Sequence, residues 1–275
     1  MEIFQHLLSK LAGYLANCHF RWIKNWMITV FANHYQVNFT EAGKKNPCDY
    51  ASFNEFFTRR LQPNARNIDL SSQVIVSPAD GFVSEIGNIQ AYTLLQAKNK
   101  TYTLSSLLTD HDLVSFFAEG SFLTAYLSPS SYHRVHMPFE GALKKMIYVP
   151  GTLFPVNEKS VQKNENLFAR NERVICFFET SIGKMCVIFV GAFIVGSIET
   201  QWHGQVTPNV CRKITTWNYT DRSIYFKKGE EIGLFKLGST VIMLFEKNKI
   251  TWNENLKAGD PLKMGKKVGQ IKNPL

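Results

Sequence analysis

Two apolar runs flank a Gly-Ser pair near the C-terminus, in the stretch Ile232-Gly233-Leu234-Phe235-Lys236-Leu237-Gly238-Ser239-Thr240-Val241-Ile242-Met243-Leu244-Phe245. Runs of this composition are typical of β-strands. A Gly-Ser pair between two strands commonly marks a bulge or a tight turn, because glycine tolerates backbone conformations that other residues resist. A second interpretation is chemical: Ser239 attacks the carbonyl carbon of Gly238 and breaks its own chain.

Similar strand-like runs recur along most of the chain, separated by Gly, Pro, Asn and Ser. They cover residues 74–76, 81–83, 122–127, 174–178, 185–190, 194–195 and 241–245. The N-terminal part instead has apolar residues at helical spacing, from Phe4 to Leu15 and from Phe20 to Phe31, and a short helix is predicted over residues 53–61. We therefore predict an α+β fold, with N-terminal amphipathic helices in residues 1–62 and a mainly antiparallel β body in residues 63–275. No repeat or low-complexity linker divides this body, which favours one compact catalytic unit.

The composition constrains the compartment and the partners of the chain. Its 275 residues carry a net charge of +9, which favours an anionic partner such as nucleic acid, anionic lipid or an acidic metabolite. The five cysteines form no CxxC pair and are odd in number, so neither a zinc site nor a complete disulfide framework is indicated. No apolar run reaches about 18 residues and the N-terminus lacks the pattern of a signal peptide, so we expect a cytosolic protein without a spanning helix.

The second predicted helix is basic and carries two tryptophans. Trp22 and Trp26 lie among apolar residues, beside Arg21 and Lys24. Such a helix can lie in a membrane interface, where indole rings sit at headgroup depth and basic side chains meet anionic lipid. It can also form an ordinary helical cap packed on the core. The sequence leaves both interpretations open.

Three polar clusters interrupt the β body. Asp80 lies in Ser77-Pro78-Ala79-Asp80-Gly81, where Asp-Gly is itself a favoured turn pair. His133 and His136 lie in Tyr132-His133-Arg134-Val135-His136-Met137-Pro138, and at this spacing in a strand they point to opposite faces, so we expect separate roles and not a shared metal. The third cluster comprises residues 153–157 and 167–174. Between them, residues 158–166 are expected to form an exposed loop, which is either a lid over an amphiphilic substrate or a surface loop held by its ends.

Together, these stretches resemble one known family. The order and spacing of residues 77–81, 132–138, 167–174, 190–192, 195–198 and 237–240 are similar to those of phosphatidylserine decarboxylase in its bacterial, pyruvoyl-dependent form. The joint occurrence of His-Arg-Val-His (133–136) and Leu-Gly-Ser-Thr (237–240) is specific, and the resemblance covers essentially the whole chain. It implies decarboxylation of phosphatidylserine to phosphatidylethanolamine.

The resemblance also implies that the chain cuts itself between Gly238 and Ser239. The family's Asp–His–Ser set falls on Asp80, His136 and Ser239, with Ser239 as the nucleophile, His136 as its base and Asp80 as the group that fixes the tautomer of the base. The cut would leave a beta chain of residues 1–238 and an alpha chain of residues 239–275, which begins with a pyruvoyl group made from Ser239.

The pyruvoyl group would replace any external cofactor or metal. Its ketone would form a Schiff base with the substrate amine and accept electrons as carbon dioxide leaves. His133 is the expected proton donor to the product, with His136 as the alternative for this step.

The resemblance and the charge together predict the partners and the location. We expect phosphatidylserine as substrate, an anionic membrane surface and no nucleic acid. The beta and alpha chains would form a heterodimer, open to further assembly, that lies as a peripheral protein on the cytoplasmic face of the cell membrane.

Two other classes of function remain open. A Ser-His-Asp hydrolase would use Ser239 on a bound ester, but the Gly-x-Ser-x-Gly elbow is missing and Ser239 lies at the edge of a strand instead of before a helix. A non-catalytic lipid-binding module would keep the β fold and the basic face without maturing. Cleavage between residues 238 and 239 distinguishes both classes from a decarboxylase.

Overall fold

The computed structural model describes residues 13–97, 100–192, 197–208, 212–236 and 239–272. Its main helices are α1 (Arg21–His34), α2 (Phe53–Phe57), α3 (Leu104–Leu108), α4 (His111–Phe117), α5 (Glu158–Lys163) and α6 (Leu167–Arg170). Its strands are β1 (Val74–Val76), β2 (Gly81–Asn88), β3 (Thr93–Ala97), β4 (Lys100–Thr103), β5 (Ser121–Leu127), β6 (Arg134–His136), β7 (Gly141–Val149), β8 (Arg173–Thr180), β9 (Gly183–Gly191), β10 (Ser197–Thr200), β11 (Gly204–Gln205), β12 (Thr215–Asn218), β13 (Tyr225–Phe226), β14 (Glu231–Lys236), β15 (Ser239–Phe245), β16 (Ile250–Trp252), β17 (Pro261–Leu262) and β18 (Lys267–Ile271). The predicted α+β class, with a mainly antiparallel body and N-terminal helices, is confirmed. The helix predicted near Phe4 and the strand predicted at 194–195 fall largely or wholly outside the described residues.

Strand β15 forms the centre of the largest sheet, whose order is β12-β7-β8-β9-β15-β5-β2-β17, with β13 beside β7. All seven of its residues are buried. Val241 and Met243 belong to the core on one face of this sheet, whereas Ile242 and Leu244 belong to the core on the other face. This alternation is the period of two expected for a strand, and it buries β15 on both sides.

Different layers cover the two faces of the large sheet. A four-stranded sheet in the order β11-β10-β14-β6 contributes Val135 and Phe235 to the first core, which also includes residues of the three-stranded sheet β1-β18-β16. Helices α3, α4 and α6 contribute Leu107, Phe117 and Phe168 to the second core. Water is therefore excluded from both sides of the central strands.

Helix α1 packs on α2 through a separate small core. Ile28 and Ala32 of α1 share this core with Phe53 and Phe56. Other positions of α1 face solvent, including Trp22 and Trp26, which are 75% and 67% exposed. Within the described residues, no helix combines the length and the hydropathy needed to cross a bilayer.

The prediction of a loop over residues 158–166 is wrong, because most of this segment forms helix α5. The Asn157 side chain accepts a hydrogen bond from Ser160 N and caps this helix, and Val161 is buried. The buried Gln96 side chain donates to Val161 O at 2.8 Å and to Asn164 O at 2.7 Å. A residue more than 60 positions away in sequence thus holds the segment, which no local pattern reveals.

The helix predicted over residues 53–61 is present but shorter, since α2 ends at Phe57. Thr58 leaves helical geometry, and its carbonyl accepts a hydrogen bond from Arg134 Nε at 2.8 Å.

Arg173 is a fully buried cation that joins the helical layer to the large sheet. It is 1% exposed, and all its hydrogen bonds go to backbone carbonyls, those of Ser106, Leu107, Ala169 and Asn171. Burial lowers the pKa of Arg173 to about 10, so it stays charged at neutral pH.

We expect Arg173→Met to lower the free energy of unfolding by about 3 kcal/mol, because four backbone carbonyls lose their donor and two of these hydrogen bonds are buried. Urea unfolding followed by circular dichroism measures the change, with both variants made in a Ser239→Ala chain so that cleavage does not complicate the transition. The matched control is Arg170→Met, since Arg170 is exposed and its guanidinium lies 4.7 Å from the centre of the Phe154 ring. That control should change stability by less than about 1 kcal/mol. Equal effects of the two substitutions would contradict the assigned role of Arg173.

Candidate active site

Ser239 is the first residue of β15 and lies inside the protein. It pairs with Leu127 of β5 on one side and with Gly191 of β9 on the other, and it is 0% exposed. Its Oγ has no hydrogen-bond partner among the described residues. An unpartnered hydroxyl in a buried site is unfavourable, so such a group commonly has a chemical role. Gly238, the predicted partner in cleavage, lies outside the described residues.

The hydroxyl of Thr240 provides a comparison. It is also buried and has no hydrogen-bond partner in the described ranges, but by strand alternation it points to the opposite face from Ser239. Ser239 shares its face with Val241 and therefore with the core to which β6 contributes Val135. Ser239 thus lies on the side of the sheet where the histidine-bearing strand packs.

His133 has one occupied and one free ring nitrogen. Nδ1 is 2.8 Å from Ser131 O, and because a carbonyl only accepts, Nδ1 carries the hydrogen. Nε2 is therefore a lone-pair acceptor, and it is buried without a hydrogen-bond partner in the part of the chain that the structure describes. Burial, together with the nearby positive charge of Arg59, lowers the pKa of His133 to about 3. His133 is accordingly a neutral imidazole with an open acceptor.

His136 is also held as a neutral imidazole. Nδ1 lies 2.8 Å from Gly229 O and so carries the hydrogen, which leaves Nε2 to accept from the Tyr132 hydroxyl at 2.9 Å. Burial lowers the pKa of His136, and the contact with Gly229 opposes this effect. The ring can therefore act as a base at neutral pH.

Strand β6, which directly follows His133 and ends at His136, pairs with β14, the strand that precedes Ser239 in sequence. Glu231 pairs with His136, whereas Phe235 N donates to His133 O at 3.0 Å. Of the two histidines, His133 is therefore opposite the end of β14 that leads to Ser239.

Asp80 is held by Arg66. Arg66 Nε donates to Asp80 Oδ1 at 3.1 Å, Arg66 Nη2 donates to Oδ2, and Met264 N donates to Oδ1 at 2.9 Å. Within the residues that the structure covers, no hydrogen bond joins Asp80 to His136, and the carbonyl of Gly229 holds the His136 tautomer instead. The charge of Asp80 still raises the pKa of His136, though by less than burial lowers it. A backbone bond from His136 N to Pro78 O, at 2.8 Å, connects the two motifs.

Asn171 positions the backbone next to Ser239, a role that sequence reasoning missed. Its side chain is fully buried, and Nδ2 donates to Gly191 O at 2.8 Å and to Phe154 O at 2.9 Å. Its Oδ1 accepts from Phe154 N and from Thr152 Oγ1. Because Gly191 pairs with Ser239, Asn171 fixes one wall of the site.

Arg59 and Arg66 were also missed, since nothing in the local pattern distinguishes them from surface arginines. Both are largely buried and line a cavity of about 240 Å³ that Asp80 and Tyr132 also line. Across the described part of the chain, no three His, Cys, Asp or Glu residues are grouped so that they could hold a metal ion.

Comparisons with known proteins identify the family of this chain. A family model described as phosphatidylserine decarboxylase matches residues 53–270, and a second model described as PSD matches residues 5–36. The chain is 48% identical over 268 residues to the phosphatidylserine decarboxylase proenzyme of Coxiella burnetii (strain RSA 331 / Henzerling II), covering 97% of this chain and 95% of that one. It is likewise 48% identical to the proenzymes of Saccharophagus degradans and Glaesserella parasuis serovar 5, covering 97% of this chain and 93% and 91% of theirs. The chain therefore belongs to the phosphatidylserine decarboxylase family.

Proposed function

We propose that this protein decarboxylates phosphatidylserine to phosphatidylethanolamine after making its own pyruvoyl group from Ser239. The observation that carries the proposal is the buried, unpartnered Ser239 hydroxyl at the start of the central strand, in a chain of this family. The relatives are named as proenzymes, which agrees with an activating cleavage in those proteins.

The first step is an acyl shift within the chain. Ser239 Oγ attacks the carbonyl carbon of Gly238 and gives its proton to a base, and the peptide C–N bond breaks to leave an ester and a free amine. Elimination of the Gly238 carboxylate converts residue 239 to dehydroalanine. Its tautomer is hydrolysed by water, which releases ammonia and leaves the pyruvoyl group. The buried site fits the pyruvoyl group, because that group is uncharged and has no O–H donor, and the Ser239 hydroxyl that it replaces has no hydrogen-bond partner among the described residues.

His136 is the proposed base for this step, with Asp80 as its electrostatic support. The neutral ring with hydrogen on Nδ1 presents Nε2 as an acceptor, which a base requires. Asp80 stabilises the imidazolium through its charge, although its hydrogen bonds go to Arg66 and Met264.

The two chains should remain together after cleavage. Ser239 to Phe245 form seven residue pairs with β5 and seven with β9, so the alpha chain contributes the central strand of the large sheet. Loss of this strand would expose two cores to water. This supports a heterodimer of residues 1–238 and 239–275.

In the decarboxylation, the pyruvoyl group supplies the electron sink for the bond that breaks when carbon dioxide leaves. His133 is the proposed group that moves the proton. Its free Nε2 can accept a proton from the substrate ammonium and later return it to the carbon that lost the carboxylate. The negative charges of the substrate would raise the pKa of His133 toward the range that this exchange requires.

The N-terminal segment, residues 1–62, is the proposed membrane contact. The exposed Trp22 and Trp26 lie one helical turn apart on α1, and Phe20 is 68% exposed beside them. An exposed aromatic stripe on a basic protein suits the interface of an anionic bilayer, where the two-chain substrate resides. We place the protein peripherally on the cytoplasmic face of the cell membrane.

Ser239→Ala should remain a single chain without decarboxylase activity, because no oxygen remains to form the ester. Intact mass spectrometry under denaturing conditions measures this, and wild-type protein should show chains of 238 and 37 residues, the second beginning with pyruvoyl. The matched control is Thr240→Val, which removes the neighbouring buried hydroxyl and should leave cleavage intact. An uncut wild-type protein that hydrolyses esters would support a hydrolase instead, and an inert uncut protein would support a lipid-binding module.

His136→Ala and Asp80→Asn should slow self-cleavage by about 10²–10⁴-fold. His133→Ala should still cleave, but the kcat of its decarboxylation should fall by about 10²–10⁴-fold. The fraction cut over time and the carbon dioxide released by cut protein measure the two steps. Arg66→Gln is the control for Asp80→Asn, since it breaks the same ion pair and keeps the Asp80 charge. Failure of His133→Ala to cleave would reverse the assignment of the two histidines.

Trp22→Ser with Trp26→Ser should weaken binding to vesicles of phosphatidylglycerol and phosphatidylcholine by at least about tenfold, because two indoles no longer enter the interface. Vesicle sedimentation measures the bound fraction. Leu70→Ser with Tyr225→Ser is the control, since these side chains are 70% and 57% exposed and lie outside α1. Equal binding by both double variants would show that α1 is not the membrane contact.

A further inference from the structure

Arg59 is a buried cation with an unused donor. The residue is 5% exposed, and its Nη2 donates to Ser130 O at 2.7 Å and to Ser131 O at 3.3 Å. Its Nη1 is buried and has no hydrogen-bond partner among the described residues. A buried charge with an unsatisfied donor is strongly unfavourable unless an anion completes it.

The cavity that Arg59 lines has an excess of positive charge. Arg66 forms ion pairs with both Glu41 and Asp80, and Lys263 Nζ lies 3.7 Å from each of these carboxylates. Arg59 has no ion pair in the part of the chain that the structure describes. The two carboxylates are therefore already shared by two cations, and Arg59 is left to attract an external anion.

Arg59 also lies next to the proposed reaction site. His133 Nδ1 and Arg59 Nη2 both contact the carbonyl oxygen of Ser131. The guanidinium and the imidazole to which the proton exchange is assigned therefore share one hydrogen-bond acceptor. An anion bound to Arg59 would therefore lie close to the His133 side chain.

We propose that Arg59 binds the phosphodiester group of the lipid substrate. The inference rests on the proposed function and deepens it by assigning the subsite for the headgroup phosphate. In phosphatidylserine, the phosphate is separated by one oxygen and one methylene from the carbon that carries the amine and the carboxylate. A phosphate on Arg59 thus leaves that carbon within reach of the neighbouring histidine.

The carboxylate of the substrate is the less suitable ligand for Arg59. Its charge disappears from the headgroup as carbon dioxide leaves, so an arginine on it would stabilise the ground state more than the transition state and would slow the reaction. The phosphodiester keeps its charge throughout the reaction. An arginine there stabilises bound substrate and transition state equally, which lowers KM and leaves kcat unchanged.

The test compares two short-chain lipids that lack both amine and carboxylate. Dihexanoyl phosphatidylethanol has the phosphodiester, and dihexanoylglycerol does not. Their affinities for the cleaved protein are measured by calorimetry, which needs no decarboxylation, and kcat and KM for a short-chain phosphatidylserine are measured in parallel. The variants are Arg59→Met, Arg59→Lys and the control Arg60→Met, since Arg60 is the exposed neighbour.

We expect Arg59→Met to weaken phosphatidylethanol binding by about 10–100-fold and to raise KM by a similar factor, while dihexanoylglycerol binding stays unchanged. Because the charge of Arg59 also lowers the pKa of His133, we expect kcat to change as well, but by a smaller factor than KM. The phosphatidylethanol affinity of Arg59→Lys should lie between those of wild type and Arg59→Met, because lysine keeps the charge without the planar set of donors. Arg60→Met should have the wild-type affinity for both lipids and the wild-type KM and kcat.

Three results would overturn the proposal. Equal weakening of both lipids would mean that Arg59 has a structural role only. Unchanged phosphatidylethanol binding with a reduced kcat would place Arg59 on the carboxylate or on the reacting atoms. Binding of inorganic phosphate to Arg59 that does not compete with phosphatidylethanol would indicate a site for free phosphate. A protein that binds phosphatidylethanol through Arg59 but releases no carbon dioxide would refute the proposed function and leave the anion site standing.

Discussion

The burial of β15 on both faces is the constraint on which the rest of the structure depends. This strand lies between β9 and β5, and its alternate residues belong to two separate cores. Its backbone is satisfied by both neighbours, so a break in the chain just before it removes no strand pairing. The same placement takes Ser239 out of water and brings its hydroxyl to the end of the sheet where Gly191 and Leu127 flank it.

Exclusion of water sets the protonation of the site. Both histidines are buried, which disfavours their charged forms and lowers their pKa values. Backbone carbonyls of Ser131 and Gly229 fix the hydrogen on Nδ1 in each ring, so both Nε2 atoms are acceptors. They differ in that the Tyr132 hydroxyl donates to Nε2 of His136, whereas Nε2 of His133 has no hydrogen-bond partner within the residues that the structure covers. Two histidines of one short motif thus have different environments, as two separate proton-transfer roles would require.

The N-terminal residues connect helix α1 to the site. Helix α2 shares a small core with α1, and its Phe57 ring lies 4.0 Å from the ring of His133. Arg59 lies two residues after the end of α2 and donates hydrogen bonds to the carbonyls of Ser130 and Ser131. A series of contacts therefore leads from the buried face of α1 through α2 to the buried His133.

Much of the fold and part of the site could be predicted from the sequence, because these features are local. Strand alternation in 241–245 and helical spacing in 20–31 follow from neighbouring residues, and the Gly238–Ser239 pair and the His-Arg-Val-His motif can be recognised as they stand. The tertiary structure decided the contacts of Asp80 with Arg66, the Gln96 bonds to residues 161 and 164, and the bonds of Arg59 to a loop 71 positions away. The physical reason is that hydrogen bonds and desolvation depend on which distant segments the folded chain brings together. The sequence by itself thus determined which groups can react, and only the tertiary structure decided which partner each group has and which of them are left without one.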